Sequence, residues 1–140
     1  MGASEYAATP DPVPARHVEV TTEKVAAAMR AFFRIAEAWG ASNDEARVLL
    51  GQPARSTFYK WKRGEVGSVP HDTVQRMSYV LGIYKALQIL FKAPARADAW
   101  VRKPNEALGG QSAVDRMLGG DVTDLAAVRR YLDAVRGQGA

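Results

Sequence analysis

Cysteine is absent from this sequence of 140 residues, and long hydrophobic runs are absent as well. Without thiols the protein forms no disulfide bond, holds no metal through thiolates and uses no cysteine nucleophile. No apolar stretch approaches the roughly 20 residues that a helix needs to cross a bilayer, which excludes a transmembrane helix. The N-terminus lacks a basic start followed by an apolar run, so we expect no secretory signal, no membrane partner and a cytoplasmic location.

The sequence also has little that supports catalysis. Its two histidines, His17 and His71, have no cysteine or carboxylate pair beside them, so neither makes a metal site or a catalytic triad. The Gly109-Gly110 pair is not followed by the Lys-Ser/Thr of a phosphate-binding loop and is better explained as a tight turn. We therefore expect a protein that is not an enzyme, with no catalytic residue, no metal and no cofactor.

What the sequence does contain is helical periodicity. Apolar residues recur at helical spacing between breaks, without β-type alternation or an internal repeat, which predicts an all-α fold. We expect a flexible, proline-containing arm over residues 1–20, an N-terminal domain over 21–96 and a small helical C-terminal domain over 97–140. The predicted helices begin at Thr21 or Thr22, Ser42, Arg55, His71, Pro94, Ser112 and Thr123.

A long central helix is predicted over residues 71–91, longer than any other, and it has two apolar stripes. One stripe contains Val74, Met77, Leu81, Tyr84 and Gln88, and the other contains Val80, Ile83, Leu87, Leu90 and Phe91. Such a wide apolar face exceeds what one small helical bundle usually needs. It predicts burial on two sides, by a second domain or by a second subunit, and we expect a homodimer or a higher assembly.

The distribution of charge singles out one segment, Pro53 to Gly64. The whole chain has 19 Lys and Arg residues against 15 Asp and Glu residues, a net charge of +4. This segment contains no acidic residue, and its cations are Arg55, Lys60, Lys62 and Arg63. It therefore carries an excess equal to the whole surplus, which suits the approach to a phosphate backbone. In a helix Phe58 and Trp61 share one face and leave the cations mainly on the other.

A short helix is predicted just before this basic segment. Ser42 and Glu45 have the spacing of a capping box, and Gly51 ends the short helix before a turn at residues 52–54. A capped short helix, a glycine turn and a basic amphipathic helix are typical of a helix-turn-helix, whose second helix enters the DNA major groove. A surface helix with a solvated basic face is the plainer alternative.

The residues of the second helix divide into two groups if it binds DNA. Arg55, Ser56 and Lys60 are expected to reach base edges, with Arg55 able to bridge guanine O6 and N7. Contacts with phosphates are expected from Thr57, Tyr59, Lys62 and Arg63. Phe58 lies one residue later than is common in this motif, and Arg47 stands where a small residue is usual, so a register shifted by one residue stays open.

The last third of the chain resembles a known family. Trp100, the Asn105 to Gly110 segment with its Leu-Gly-Gly turn, a short helix from Ser112 and a final helix ending at Gly137 occur in the same order in the C-terminal domain of the MbcA/ParS/Xre antitoxins. Where that family most often has Thr-Pro after the glycines, this chain has Ser112-Ala113. The basic helix fits the Xre-like DNA-binding half of the same family, so the resemblance covers residues 25 to 137.

The resemblance implies an antitoxin paired with a RES-domain toxin, an enzyme that consumes NAD. In that family the C-terminal domain occludes the active site of the toxin, and the N-terminal domain dimerises and represses the shared operon by binding operator DNA. The toxin-binding residues implied are Trp100, Asn105, Leu108, Gly109 and Gly110. Arg129, Arg130 and Arg136 are candidates to enter a site built for the phosphates of a dinucleotide, and a solvated face explains them equally well.

Two other functions stay open. One is a stand-alone helix-turn-helix transcriptional regulator whose C-terminal region stabilises a dimer or senses a ligand. The other is an interaction protein that no longer binds DNA. From residue 97 onwards acidic and basic residues are equal in number, so no second nucleic-acid surface is expected there.

Overall fold

The computed structural model describes the backbone of residues 12–139 and the side chains of residues 22–137. Within that range the chain forms seven α-helices, one short 3₁₀ turn at Glu106–Leu108 and no strand, which confirms the predicted all-α fold. The helices are α1 (Pro12–Ala38), α2 (Asn43–Leu49), α3 (Arg55–Lys62), α4 (His71–Leu90), α5 (Pro94–Trp100), α6 (Ala113–Met117) and α7 (Val122–Gly139).

Helix α1 is longer than the sequence predicted. It begins at Pro12 rather than at Thr21 or Thr22, so residues 12–20 are helical where a flexible arm was expected. With 27 residues it also exceeds the 20 residues of α4, which was predicted to be the longest helix. Prolines at the start do not prevent this, because the first-turn amides of a helix have no acceptor within it. The rest of the predicted arm lies outside the described residues.

Local capping signals place the shorter helices where the sequence predicted them. The Ser42 Oγ accepts from the Glu45 amide at 3.1 Å, and the Glu45 carboxylate accepts from the Ser42 amide at 3.0 Å, which confirms the capping box. Ser112 caps α6 with one bond of this kind, since its Oγ accepts from the Asp115 amide at 3.0 Å. Pro94 occupies the first turn of α5. These caps fix the ends of helices too short to persist alone.

Helix α4 is the centre of a single hydrophobic core. It packs against α1 on one side and against α7 on another, with α5 folded back on its C-terminal end. Its buried residues Val80, Ile83 and Leu87 lie in the same core as Leu125 and Leu132 of α7. Val80, Ile83 and Leu87 of the second apolar stripe are therefore covered by the C-terminal part of the same chain, in agreement with the first of the two predicted alternatives. A second subunit is not needed to account for their burial.

Arg102, just after α5, ties the C-terminal half to the N-terminal half. Its guanidinium donates to the carbonyl oxygens of Trp39 and Gly40 at 2.9 and 3.0 Å, and to Glu45 Oε1 at 3.0 Å. The Arg102 hydrogen bond lowers the pKa of Glu45, and the bond from the Ser42 amide lowers it further. One side chain thus satisfies the C-terminal end of α1 and supports the capping box of α2.

Arg76, on α4, makes a second link of this kind. Only 8% of Arg76 is exposed, and its Nη2 donates to the carbonyl oxygen of Gly120 at 3.0 Å. Its Nε donates to Asp72 at 2.8 Å, so the buried charge has an ionic partner. The same guanidinium lies beside Gly51, the glycine after α2. Arg76 therefore connects the turn of the N-terminal motif with the loop before α7.

Shortening Leu125 to Ala tests whether α7 and the N-terminal helices share one core. Leu125 is fully buried, so we expect a loss of about 2–5 kcal/mol in the free energy of unfolding, in one transition for the whole chain. Gln75→Ala on the exposed side of α4 is the control and should change it by less than about 0.5 kcal/mol. Denaturant unfolding followed by circular dichroism measures both. Two separate transitions would contradict a shared core.

Replacing Arg102 by Ala tests the link to Glu45. Because Arg102 is 42% exposed and solvent screens it, we expect a loss of about 1–2 kcal/mol near neutral pH. The lowered pKa of Glu45 stabilises the fold above the ordinary Glu range, and this stabilisation is lost as the pH falls through and below that range. The variant should therefore lose less stability than the wild type between about pH 5 and pH 3. Lys103→Ala, the exposed neighbour, should keep the wild-type pH dependence.

Candidate nucleic-acid interface and apolar groove

Helices α2 and α3 and the turn between them have the geometry of a helix-turn-helix. The turn contains two consecutive residues with positive φ, Gly51 at 93° and Gln52 at 60°. A Cβ on Gly51 would lie 3.0 Å from both Arg76 Nε and Asp72 Oδ2, so a larger residue would crowd these side chains, and the positive φ also favours glycine. The prediction that Gly51 separates the two helices agrees with this turn.

Arg47 has a structural role that its sequence position did not reveal. Its Nε donates to the carbonyl oxygen of Pro53 at 2.6 Å, across the turn between α2 and α3. On the other side, Thr73 Oγ1 donates to the carbonyl oxygen of Leu50 at 3.2 Å. The long side chain that stands where a small residue is usual therefore fastens the turn by a hydrogen bond to the backbone.

The inner face of α3 is formed by Phe58 and Trp61, as the sequence predicted. They are 1% and 4% exposed. The Phe58 ring meets the ring of Phe33 from α1 edge to face, with centroids 5.4 Å apart. Such aromatic pairs stabilise beyond their buried area. This contact fixes the rotation of α3, so that its polar face is directed away from the core.

The outer face of α3 is formed by Ser56, Tyr59, Lys60 and Arg63, all of which are exposed. At 100° per residue Ser56 and Arg63 lie opposite the Phe58–Trp61 pair, and Lys60 lies close to them. Within residues 22–137 the α3 side chains that make hydrogen bonds are those of Arg55 and Lys62, whereas Ser56 and Lys60 make none. Thr57 is half-buried at one flank of the helix. The structure thus brings together a polar row with free donors, suited to a groove in DNA.

Arg55 and Lys62 lie on the other flank and are held by the start of α2. Arg55 Nη1 is 3.3 Å from the Asp44 carboxylate, and the Lys62 ammonium donates to the side-chain oxygen of Asn43. These contacts are missing from the sequence pattern, because Asn43 and Asp44 lie outside the acid-free segment. The Arg55–Asp44 pair is 65% and 76% exposed, so it contributes about 0–1 kcal/mol and can exchange for phosphate.

Arg63 also has an acidic neighbour in space. Its Nε is 3.0 Å from Glu65, and this hydrogen bond lowers the pKa of the Glu65 carboxyl. The positive charge of α3 is therefore partly neutralised by Asp44, which precedes the helix in the chain, and by Glu65, which follows it. Which of its residues contact bases and which contact phosphates stays a prediction.

The C-terminal half presents a groove lined by apolar and aromatic side chains. Trp100 at the end of α5 stacks on Tyr131 of α7, with ring centroids 6.2 Å apart and planes 7° from parallel. The groove beside them has a volume of about 190 Å³. Its lining residues are Leu90, Phe91, Trp100, Tyr131, Leu132 and Val135. Trp100 was predicted from the sequence as a site residue and Tyr131 was not, because no pattern in the sequence indicates that Tyr131 stacks on Trp100.

The residues of the Leu-Gly-Gly turn form a closed loop. Asn105 Oδ1 accepts from the Ala107 amide at 2.8 Å, and the Asn105 carbonyl accepts from the Gly110 amide at 2.9 Å. Leu108 is buried, while Gly109 and Gly110 have φ values of 75° and 86° and face open space. The structure therefore places Asn105 and Leu108 in the support of the loop. Gly109 and Gly110 are exposed and Asn105 is half-buried, and the contact of these residues with a toxin stays a prediction.

The three arginines of α7 do not form one cluster. Arg129 Nε is 3.1 Å from Asp133, and its guanidinium lies over Gly82 of α4, where no side chain intervenes. Arg136, seven residues further, is half-buried on the same side of the helix, whereas Arg130 is exposed on a different side. Of the three, Arg130 is the one whose side chain is most accessible. Their role in a partner site stays a prediction.

Within the part of the chain that the structure describes, two kinds of site are not found. No helix there has the length and apolar character needed to cross a membrane. No three His, Cys, Asp or Glu side chains approach one another as a metal site would require. The candidate binding surfaces described above are the outer face of α3 and the groove between α4, α5 and α7.

Comparison with known proteins assigns both halves. Residues 8–82 match the Xre-like helix-turn-helix domain of antitoxins, and residues 86–137 match the C-terminal toxin-binding domain of the Xre/MbcA/ParS antitoxins. The chain is also 50% identical over 127 residues to "Uncharacterized protein y4oB" of Sinorhizobium fredii, across 91% of this chain and 98% of that protein. Both halves of the expected pattern are thus present in the expected order, and the chain belongs to the Xre/MbcA/ParS family of antitoxins.

Proposed function

We propose that this antitoxin neutralises a RES-domain, NAD-consuming toxin by covering its active site, and that it represses its own operon through α3. The observation that carries the proposal is the union in one chain of an Xre-like helix-turn-helix domain and a toxin-binding domain. The RES-domain identity of the toxin rests on the resemblance of residues 100–137 to antitoxins of that type. A protein of this kind acts by binding two partners and needs no catalytic group of its own.

The exposed row on α3 supports the DNA-binding half of the proposal. Ser56 and Lys60 are exposed and make no side-chain hydrogen bond within residues 22–137, while Arg63 adds charge beside them. Arg55 starts the helix, at the end that reaches deepest into a major groove in this motif. Its bond to Asp44 is exposed and weak, so it does not prevent a bidentate contact with guanine. We expect Lys62, Tyr59 and Thr57 to contact phosphates rather than bases.

Assembly of the antitoxin belongs to the proposal as well. Operators read by helix-turn-helix proteins are usually two-fold symmetric, which requires two copies of α3 one helical turn of DNA apart. We propose a homodimer on DNA for this reason alone, because the apolar width of α4 is covered by α7 within one chain.

Lys60→Ala tests which residues read DNA. On a duplex taken from upstream of its own gene, we expect binding to weaken by about 1–3 kcal/mol and sequence preference to relax at one position in each half-site. Lys85→Ala removes the same charge from the exposed side of α4 and should leave affinity nearly unchanged. Fluorescence anisotropy at fixed salt, with single-base variants of the duplex, gives both readouts. Equal affinity of Lys60→Ala and wild type for every duplex would contradict the register.

Neutralisation is tested with the toxin encoded beside this gene. The purified toxin should consume NAD when alone and stop consuming it once the antitoxin is present in stoichiometric amount, because the active site is then covered. NAD is measured by an enzymatic cycling assay, and the two proteins should elute together in gel filtration. A neighbour that forms no complex with the antitoxin, or NAD consumption that continues within such a complex, would contradict this part of the proposal. The alternative function, a stand-alone helix-turn-helix transcriptional regulator, would then be favoured.

A further inference from the structure

We propose that the groove between α4, α5 and α7 receives an apolar side chain of the toxin, with the Trp100–Tyr131 stack as its wall. This inference rests on the proposed function, because it names the contact by which the toxin partner is held. The groove lies entirely within residues 86–137, the part that matches the toxin-binding domain, so its occupant is placed on an interface that the family already assigns to a toxin.

The chemistry of the lining selects an apolar occupant. All six lining side chains are aliphatic or aromatic, and none of them carries a charge. The volume of about 190 Å³ suits one large side chain and is too small for a folded segment. Phosphate or another anion would find no cation in the wall. Interfaces commonly obtain most of their affinity from a few such anchors seated in desolvated pockets.

The wall of the groove is already in place before a partner arrives. The rings of Trp100 and Tyr131 are nearly parallel, and both side chains are only half-buried in the free protein. Aromatic side chains of this kind offer a large contact area and lose little rotamer entropy on binding. A partner that covers them gains apolar burial without reorganising the antitoxin. The stack is therefore a better anchor than Arg129, which is engaged with Asp133.

An apolar stripe on α7 extends the groove along the helix. Ala127, Tyr131, Ala134 and Val135 follow the spacing i, i+4, i+7 and i+8, so they share one side of α7. Ala134 is exposed, and the other three are half-buried. Alanines beside the groove let the backbone of a partner approach closely.

Two substitutions at Val135 test the groove in opposite ways. Val135→Glu places a charge in the lining, whereas Val135→Trp fills the space with a side chain of the antitoxin itself. Each should weaken binding of the purified toxin by at least about tenfold, which is what the loss of one anchor contributes. Gln75→Glu adds the same charge as the first variant near the other end of α4, about 20 Å away, and should change the Kd by less than about twofold.

The measurement is isothermal titration of the full-length antitoxin with the toxin encoded beside its gene. Unchanged binding of operator DNA and an unchanged melting temperature show that each variant is folded. If wild type binds the toxin and both Val135 variants bind equally well, the groove proposal is wrong and the proposed function stands. If the wild-type antitoxin itself binds no toxin, the groove proposal and the proposed function are both wrong.

Two other occupants would also overturn the proposal. A second copy of this chain would be indicated if the Val135 variants dissociated a dimer of the antitoxin alone in light scattering. The N-terminal segment of this chain would be indicated if removal of residues 1–11 made Trp100 more accessible to acrylamide, measured as stronger quenching of its fluorescence. Trp39 and Trp61 are replaced by Phe in this experiment, so that Trp100 is the only fluorescent tryptophan. Toxin binding that depends on Val135, with neither of these effects, supports the proposal.

Discussion

The burial of α4 on two sides is the constraint on which the rest of this structure depends. One side of the helix packs on α1, which positions α3 through the contact of Phe33 with Phe58. Another side packs on α7, whose Tyr131 completes the groove. The helix-turn-helix match ends at residue 82 and the toxin-binding match starts at residue 86, both within α4. The two family domains therefore share one helix, and buried residues from both belong to one core.

Features encoded over three or four residues were predicted well from the sequence. The Ser42–Glu45 capping box, the helix break at Gly51 and the shared face of Phe58 and Trp61 follow from local geometry, and the structure contains all three. The start of α1 was not predicted, because prolines near a helix start resemble a flexible arm in composition. A proline in the first turn is compatible with either state, so sequence pattern alone does not decide between them.

Contacts between distant residues escaped prediction for a different reason. Arg102 binds acceptors 57 to 63 residues away, and Arg76 binds the backbone 44 residues away. A single arginine, whether on a long helix like Arg76 or in a loop like Arg102, belongs to no periodic pattern from which its distant partner could be predicted. The same reasoning explains why the charge of α3 was overstated, since Asp44 and Glu65 meet its cations only in space. For Asn105 and Leu108, the resemblance gave the correct motif, and the structure supplied its role in holding the loop.

The shared helix also sets a distance between the two surfaces. The turn before α3 lies against Asp72 and Arg76 near the start of α4, while the groove contains Leu90 at its end. A helix rises 1.5 Å per residue, so these two points stand on the order of 25 Å apart along one rigid rod. A protein seated in the groove would therefore be held at a fixed distance from the turn that precedes α3, the helix proposed to bind DNA. The spacing of operator half-sites would then also decide whether the proteins carried by neighbouring antitoxins touch.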